Sequence, residues 1–456
     1  MTEETASVKK MNKGDMTEGS VAKKLIAFSI PLAIGILVQA IYNLADMSIV
    51  GHFIGAAGMS AVTMGGLVIN VVLGIINGLS NGGSIYLGQL FGARKYDRLK
   101  YVIGTMITGY GILGLIVTGI VIALARPILR AVRTPGEAFE SAVVYLIIYI
   151  SGTIFVYIYN VLAASLRGIG KTTPSMMAVV VTAVLNIGLD LLFVGPLKMG
   201  VAGAAIATII SQCISMLILI VYVKKTDLFD FRPRLLKIDW SILKQAVKIG
   251  IPQALQFTLT SMSFLLIGGF INQYGVNASA ASGAVSKIWT FEILPSSAIQ
   301  MGMTTLTAQN IVSGKLDRIK KGLFVALAIA VIYSGLFWGA GQLFPEAMLS
   351  VFTSDASVIS TGTRYLQIFL LSGVSESIMF CFFGIIAGSG HTMFTFLCAL
   401  ISALFVRLTM VWIFDAFTSL GFIGIAWAYV IAPAVACIVA VVYVASGKWK
   451  KSGIKV

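Results

Sequence analysis

Five acidic residues lie within or at the ends of long apolar segments: Asp46, Asp190, Glu292, Glu376 and Asp415. A carboxylate is costly in an apolar environment, so each such residue is by default a functional candidate. A desolvated carboxyl group also keeps a proton at a pH at which an exposed one has lost it. Carboxylate oxygens are at the same time good ligands for hard cations such as Na⁺. The residue types therefore predict binding of a proton or of Na⁺ and leave the choice open.

Helical spacing groups some of these acids with other oxygen-bearing side chains. Asp46 follows Gln39 and Asn43 at spacings that place all three on one helix face, and Asn186 and Asp190 are four residues apart on another helix. Amide and hydroxyl oxygens on neighbouring segments can complete an oxygen-rich cage. The predicted cation site consists of Asp46, Asn160, Asn186, Asp190 and Thr208. The alternative interpretation is purely structural hydrogen bonding between membrane helices.

A second set of polar residues predicts a substrate cavity. Asn70 and Asn77 belong to a polar helix face, and the ring of Tyr42 offers a face to an organic cation. The predicted cavity residues are Gln39, Tyr42, Asn43, Asn70, Asn77, Gln256, Glu292 and Glu376. Helix packing is the alternative for the asparagines and the tyrosine. For the acids the alternative is structural ion pairing with Lys287 or Arg407, for example between Arg407 and Glu376.

The elements that position these residues are membrane spans. The chain of 456 residues is 58% hydrophobic and 11% charged, whereas a soluble domain carries about 25% charged residues. This composition excludes a soluble enzyme, a disordered chain and a disulfide scaffold. Segments of about 20 or more mostly apolar residues predict an all-α membrane protein with twelve transmembrane helices. The predicted spans are 21–53, 59–88, 99–125, 139–164, 174–196, 200–223, 243–272, 278–308, 322–343, 361–388, 393–415 and 421–446.

The basic residues predict the orientation of these spans. The net charge is +15, from 33 Lys+Arg and 18 Asp+Glu. Both tails and the loops after even-numbered spans hold 26 of the 33 basic residues, and the opposite side holds 5. Basic residues accumulate on the cytoplasmic side of membrane proteins. We therefore expect both termini in the cytoplasm and attribute the charge to topology, with no nucleic acid as a partner.

The chain repeats itself at an offset of 220 to 221 residues. Gln89–Lys100 resembles Gln309–Lys320 and Arg167–Thr172 resembles Ala387–Thr392 at an offset of 220, while Pro31 corresponds to Pro252 and Gly200 to Gly421 at 221. Six spans per repeat give both repeats one orientation, related by a pseudo-twofold axis along the membrane normal, as in transporters. The predicted parts are a cytoplasmic tail 1–20, an N-lobe 21–223, an inter-lobe loop 224–242, a C-lobe 243–446 and a tail 447–456.

These features together resemble the bacterial multidrug and toxic compound extrusion (MATE) transporters over roughly residues 20–446. The motifs that carry the resemblance are Pro31 to Asp46 in the first span, Gln89-x-x-Gly-Ala93, Leu166-Arg-Gly-x-Gly170, and Asn186-x-x-x-Asp190 followed by Gly200-x-x-Gly-Ala-Ala205. The resemblance implies antiport, in which Na⁺ or H⁺ enters while an organic, often cationic, compound leaves. It also implies that Asp46, Asn160, Asn186, Asp190 and Thr208 carry the ion site of the N-lobe.

The resemblance weakens in the second lobe. Some members carry acids on the seventh and tenth spans. The seventh span of this chain, 243–272, offers Gln256 and no acid, and only Glu376 can stand for the acid of the tenth span. Coupling through the N-lobe is therefore favoured. We expect a monomeric secondary transporter of the bacterial plasma membrane, without a cofactor, that exports small organic cations. The alternative function is a flippase for a lipid-linked precursor, which would be expected to have a basic cavity. Away from their ends, the spans hold only Lys287 and Arg407 as basic residues.

Overall fold

The computed structural model describes residues 14–454, and these residues form helices and loops without a strand. Long runs of Leu, Ile, Val, Ala and Gly, interrupted by short loops with Gly or Pro, explain why each apolar segment becomes one helix. The first half contains α1 Val21–Ile54, α2 Ala56–Gly92, α3 Tyr96–Ala123, α4 Ala125–Ala131, α5 Gly136–Ser151, α6 Thr153–Gly168, α7 Thr173–Val194 and α8 Gly200–Lys225. The second half contains α9 Trp240–Asn272, α10 Val276–Val312, α11 Leu316–Leu343, α12 Pro345–Ser350, α13 Ala356–Phe369, α14 Leu371–Gly388, α15 Thr392–Leu400, a π-helical segment Ile401–Val406, α16 Arg407–Phe417 and α17 Phe422–Ala445.

The helices agree with the predicted plan of twelve spans. Within residues 14–454, ten helical segments are long and apolar enough to cross a membrane, and the pair α5 and α6, bent by 46°, makes an eleventh. The twelfth predicted span is α10, a helix of 37 residues that carries Lys287 and Glu292 and is correspondingly less apolar. Large side chains such as Val184, Leu265 and Phe324 are exposed, as expected for a surface that contacts lipid.

The two halves repeat each other helix by helix. The helices α2 and α10 both contain 37 residues, and α3 and α11 both contain 28 residues, with each second copy starting 220 residues after the first. The glycines before α2 and α10 have a similar positive φ, 82° at Gly55 and 92° at Gly275. That region of the Ramachandran map favours glycine. The internal repeat predicted from short motifs is therefore present in the structure.

A π-helical segment accounts for the change of offset between the repeats. The offset is 220 at Thr172 and Thr392 but 221 at Gly200 and Gly421, so one additional residue lies between these points in the second repeat. The segment Ile401–Val406 lies in this interval and is π-helical. A π turn closes its hydrogen bonds one residue later than an α turn and therefore holds one more residue. After this segment, Arg407 takes the repeat position of Asn186.

The chain forms two compact units whose borders differ from the predicted lobes. Among the described residues, unit 1 comprises 14–15 and Ile34–Ala254, and unit 2 comprises Met16–Ala33 and 255–454. The start of α1 therefore belongs to unit 2, where the Ser29 hydroxyl donates to the carbonyl of Ala298. The start of α9 belongs to unit 1, where Gly250 packs closely against Leu79. Both borders fall within three residues of a proline, Pro31 or Pro252, which lacks an amide N–H for the helix.

Each unit is organised around helices that contact several neighbours. In unit 1, α2 packs against α3, α5 and α6, while α8 packs against α5, α6 and α7. In unit 2, α14 packs against α10, α11 and α17. Polar side chains on α7 and α14 are consequently surrounded by other helices. These two helices position the buried polar groups described next.

Candidate functional site

Two carboxyl groups meet inside unit 1. Asp46 comes from α1 and Asp190 from α7, and the two side chains are close enough to interact directly. Asp190 is 0% exposed, whereas Asp46 is partly exposed. One oxygen of Asp46 and both oxygens of Asp190 are buried and have no hydrogen-bond partner other than the opposite carboxyl group. We call these residues the acid pair. Two neighbouring carboxylates repel each other, so the pair can be fully ionised only if a cation is bound.

The amide of Asn186 extends this group of oxygens. Asn186 lies one helical turn before Asp190 and is 1% exposed. Its amide nitrogen donates to the hydroxyl of Thr208 on α8 over 3.4 Å, and its carbonyl oxygen is buried without a partner. The Thr208 hydroxyl itself donates to the carbonyl of Ala204 over 3.0 Å. The structure therefore brings together four of the five predicted residues in two contacting pairs, Asp46 with Asp190 and Asn186 with Thr208.

Asn160 is the fifth predicted residue. It is half-buried on α6, and its amide nitrogen donates to the carbonyl of Val156 in its own helix over 2.9 Å. Helix α6 packs against α8, which carries Thr208. The described contacts do not join Asn160 to the acid pair, and its role stays a prediction. A fit to a bound cation rests on the unpartnered oxygens of Asp46, Asp190 and Asn186, which are the hard donors that Na⁺ prefers and which a proton equally satisfies.

Tyrosines surround the acid pair. The side chains of Tyr42 and Tyr145 interact electrostatically with both Asp46 and Asp190, and Tyr149 interacts with Asp46. The rings of Tyr145 and Tyr149 are 6.2 Å apart between centroids. Their position beside two acids is suited to cation–π contact.

The other predicted cavity residues lie in different environments. In unit 1, the side chains of Gln39, Asn43, Asn70 and Asn77 are exposed. In unit 2, Gln256 is half-buried, whereas Glu292 and Glu376 are buried among helices. The unit 1 residues are therefore not enclosed by protein, and their role in a substrate cavity stays a prediction. The two glutamates are enclosed by protein, which suits ion pairing or proton binding better than direct contact with a bulky compound.

A second group of buried charges lies in unit 2. The Nη2 atom of Arg407 is 4.0 Å from Oε1 of Glu376, so the predicted ion pair is present. Lys287, by contrast, is exposed, with its ammonium 5.9 Å from the ring centre of Phe352. Glu292 forms no ion pair within the described part of the chain, and both of its oxygens are buried without a partner. The sequence alone does not reveal this isolation, because the contact that encloses Glu292 comes from Gly373 on α14.

A protein-family model matches most of this chain. The family model described as MatE matches residues 31–192 and again residues 252–413. The chain belongs to the MatE family. The second match begins and ends 221 residues after the first, in agreement with the repeat offset. The acid pair lies in the first matched segment, and Glu292, Glu376 and Arg407 lie in the second.

Relatives of this MatE chain are named for drug export. The probable multidrug resistance protein YpnP of Bacillus subtilis (strain 168) is 27% identical over 96% of this chain and 98% of its own length. The multidrug export protein MepA of Staphylococcus saprophyticus is 27% identical over 94% of each chain. The chain is therefore a multi-pass membrane protein of a multidrug export family.

Solved structures share the fold over nearly the whole chain. An outward-facing multidrug resistance MATE family transporter of the MOP superfamily aligns with a TM-score of 0.90 and 25% identity, covering 95% of this chain and 98% of that chain. A MOP superfamily transporter from Pyrococcus furiosus aligns with a TM-score of 0.90 and 24% identity, covering 97% of this chain and 99% of that chain. These likenesses confirm the all-α fold of twelve spans that the sequence predicts.

Proposed function

We propose that this MatE chain is an antiporter of the bacterial plasma membrane that exports small organic cations by alternating access. An inward flow of H⁺ or Na⁺ drives the export, and the acid pair is the coupling site. The excess of basic residues in the tails and in the loops after even-numbered spans supports a cytoplasmic position for both termini. The family membership supports export of drug-like compounds.

The observation that carries this proposal is the state of the acid pair. Asp46 and Asp190 interact with each other, and no Lys or Arg interacts with either of them within residues 14–454. Three of their four carboxyl oxygens are buried and have no hydrogen-bond partner outside the pair. An unpaired buried carboxylate is unfavourable, so the pair requires a proton or a metal cation. This requirement gives the pair an affinity for the coupling ion without any further ligand.

The same groups can distinguish ion from drug. The acid pair and the faces of Tyr42 and Tyr145 offer negative charge and π electrons to an organic cation. Binding of H⁺ or Na⁺ neutralises the negative charge and thereby weakens the attraction for the drug. A ligand shifts a conformational equilibrium only by its different affinity for the two states. Mutual exclusion of drug and ion at this site therefore links the inward step of one to the outward step of the other.

Dye efflux from proteoliposomes tests the proposal. The full chain is reconstituted, the vesicles are loaded with ethidium, and a pH gradient and a Na⁺ gradient are imposed in separate experiments, with protein-free vesicles as the control. We expect one of the gradients to accelerate efflux, the flux to saturate with dye concentration, and external dye to exchange with internal dye. A rate of dye efflux that is unchanged by both gradients would overturn the antiport proposal. A flux that never saturates would indicate a channel.

A further inference from the structure

Two acids and one arginine meet in the interior of unit 2. Glu292 lies on α10, Glu376 on α14, and Arg407 is the first residue of α16. Their exposed fractions are 0%, 9% and 4%. We call these three residues the C-terminal charge cluster. Buried ionisable groups at membrane depth are rare and mark functional positions unless each charge is compensated. The state of each member therefore has to be determined from its partners.

Glu376 has the partners of an ionised carboxylate. Its Oε1 is 4.0 Å from Nη2 of Arg407, and its Oε2 accepts a hydrogen bond of 3.0 Å from the indole N–H of Trp289. The guanidinium carbon of Arg407 also lies 4.9 Å from the ring centre of Tyr429 and 5.3 Å from that of Phe264. Aromatic faces stabilise a guanidinium. Arg407 and Glu376 thus form a compensated pair.

Glu292 has no such partner. Both of its carboxyl oxygens are buried and unpartnered, and the carboxyl group lies against Gly373 of α14, where any Cβ would collide with it. Gly373 precedes Glu376 by three residues on the same helix face. The titratable groups that face Glu292 are Glu376 from α14 and Tyr333 from α11. A like charge and a phenol do not compensate a carboxylate.

Arg407 is the single positive charge of the cluster, and it is already paired with Glu376. Two ionised glutamates and one arginine would leave a net charge of −1 in a fully enclosed site. One bound proton restores neutrality, and Glu292 is the acid without a counter-charge. Because the carboxyl packs tightly against α14, the site has room for a proton and not for an organic cation.

The local backbone directs Arg407 towards this site. The π-helical segment Ile401–Val406 ends directly before Arg407, and π turns frequently occur at functional positions. The hydroxyl of Ser263 donates to the carbonyl of Ala403 in this segment over 2.6 Å and lies 3.5 Å from Nη1 of Arg407. The Nε atom of Arg407 is buried without a partner. The guanidinium therefore keeps one unused N–H donor, while its Nη2 faces Glu376.

From these contacts we propose that Glu292 is a second proton-exchange site, located in the C-terminal repeat and separate from the acid pair. In the described structure the Glu292 carboxyl carries a proton. On release, the O–H bond breaks, the proton passes to water, and the electron pair stays on the Glu292 carboxylate. The proposal goes beyond the proposed antiport and does not require the acid pair to bind an ion.

Infrared spectroscopy of the purified full chain tests the proposal without any drug. In the background Asp46→Asn/Asp190→Asn the acid pair is removed, and we expect one remaining band of a protonated carboxyl group at neutral pH. This band shifts in D₂O if the proton exchanges. Glu292→Gln in the same background is expected to remove the band. The control Glu137→Gln, an exposed acid on α5, leaves it unchanged.

Each other outcome decides against the proposal. A band that survives Glu292→Gln, or no band in the background protein, contradicts protonation of Glu292. A band that never shifts in D₂O shows a trapped proton and a structural role. Should Glu292→Gln fail to fold, Arg407→Met in the same background provides a second measurement. Glu376 then loses its counter-charge, and a second protonated-carboxyl band is expected, whose absence overturns the charge assignment. Failure of the antiport proposal would instead appear in dye efflux and leave these spectra unchanged.

Discussion

The two repeats place different charges at equivalent positions. In the first repeat, Asp46 and Asp190 form an acid pair without a cation. At an offset of 221 the equivalent residues are Ile267 and Val411, both fully buried and apolar. The second repeat instead carries Arg407 at the position of Asn186. Duplication of one scaffold has therefore produced one site that needs a positive ion and another that contains its own positive charge.

The exchange is reciprocal. The acids of the second repeat, Glu292 and Glu376, correspond at an offset of 220 to Val72 and Val156, which are buried and apolar. The aromatic support differs as well, because Tyr429, which contacts Arg407, takes the position of Thr208. The comparison shows why a site cannot be transferred from one repeat to the other by homology. Four predictions test this difference, in order of decreasing expected effect.

The largest effect is expected from the acid pair. Asp46→Asn and Asp190→Asn each remove a carboxyl group for which drug and ion compete. Each variant should therefore lower gradient-driven ethidium efflux from proteoliposomes. A typical coupling free energy between two ligands corresponds to about 5- to 150-fold in affinity. We expect a loss in this range, with Glu137→Gln as the matched control. Efflux at the normal rate in both asparagine variants would mean that the first repeat is not the coupling site.

The next effect concerns the arginine of the second repeat. Arg407→Met leaves Glu376 buried without an opposite charge, which typically costs about 3–5 kcal/mol. Thermal unfolding in detergent should show this loss, and Glu376→Gln added to the same chain should recover most of it. The control is Lys287→Met, since Lys287 is exposed and contacts only a ring in the described structure. Equal stability of Arg407→Met and the parent chain would refute the ion pair.

A smaller effect is expected where α14 encloses Glu292. Gly373→Ala introduces a Cβ that collides with the Glu292 carboxyl. Overpacking of this kind costs typically about 1–3 kcal/mol. Gly335→Ala in α11, where a Cβ meets no atom within 4 Å, is the matched control. If both variants unfold at the same temperature, Glu292 is less tightly enclosed than the structure indicates.

The smallest effect on stability is expected at the start of α13, which corresponds to the start of α5 in the first repeat. Asp355 accepts hydrogen bonds from the hydroxyl and the amide N–H of Ser357, which lower the pKa of this exposed carboxyl. The equivalent start of α5 is preceded by Pro135. A lowered folded pKa gives stability that is present above the unfolded value of about 3.9 and is lost as the pH falls through the folded pKa.

Asp355→Ala should therefore lower the melting temperature slightly at neutral pH and hardly at all in strong acid. Melting curves at several pH values measure this difference. The variant Glu346→Ala, an exposed acid in the first turn of α12, provides a comparison. A loss that is the same at every pH would show that the carboxylate form of Asp355 is not what stabilises α13.

Much of the fold follows from the sequence, because hydropathy and repeated motifs report spans directly. The i to i+4 spacing placed Asn186 and Asp190 on one face. Lys287 and Arg407 are the only basic residues away from the ends of the spans, which suggested the pair of Arg407 with Glu376. Other features depend on tertiary packing. The break between α5 and α6 and the assignment of the start of α1 to unit 2 have no signature in hydropathy. The isolation of Glu292 depends on a glycine two spans away.

The additional residue of the second repeat does have a signal in the sequence. The offset changes from 220 to 221 between Thr172 and Gly200, which requires one more residue before Gly421. The π-helical segment Ile401–Val406, which precedes Arg407, accommodates that additional residue. An alignment of the repeats that allows for it pairs Arg407 with Asn186. The different charges of the two repeats at this position are therefore readable from the amino-acid sequence, although the π-helical geometry is not.

The central claim is that drug and coupling ion exclude each other at the acid pair. Its most direct test is the affinity of the purified chain for tetraphenylphosphonium, measured across a pH series at fixed Na⁺ and a Na⁺ series at fixed pH. We predict that the affinity falls as the coupling ion increases. In Asp46→Asn/Asp190→Asn this dependence should disappear. A double variant that keeps the full dependence of the parent chain would contradict the account.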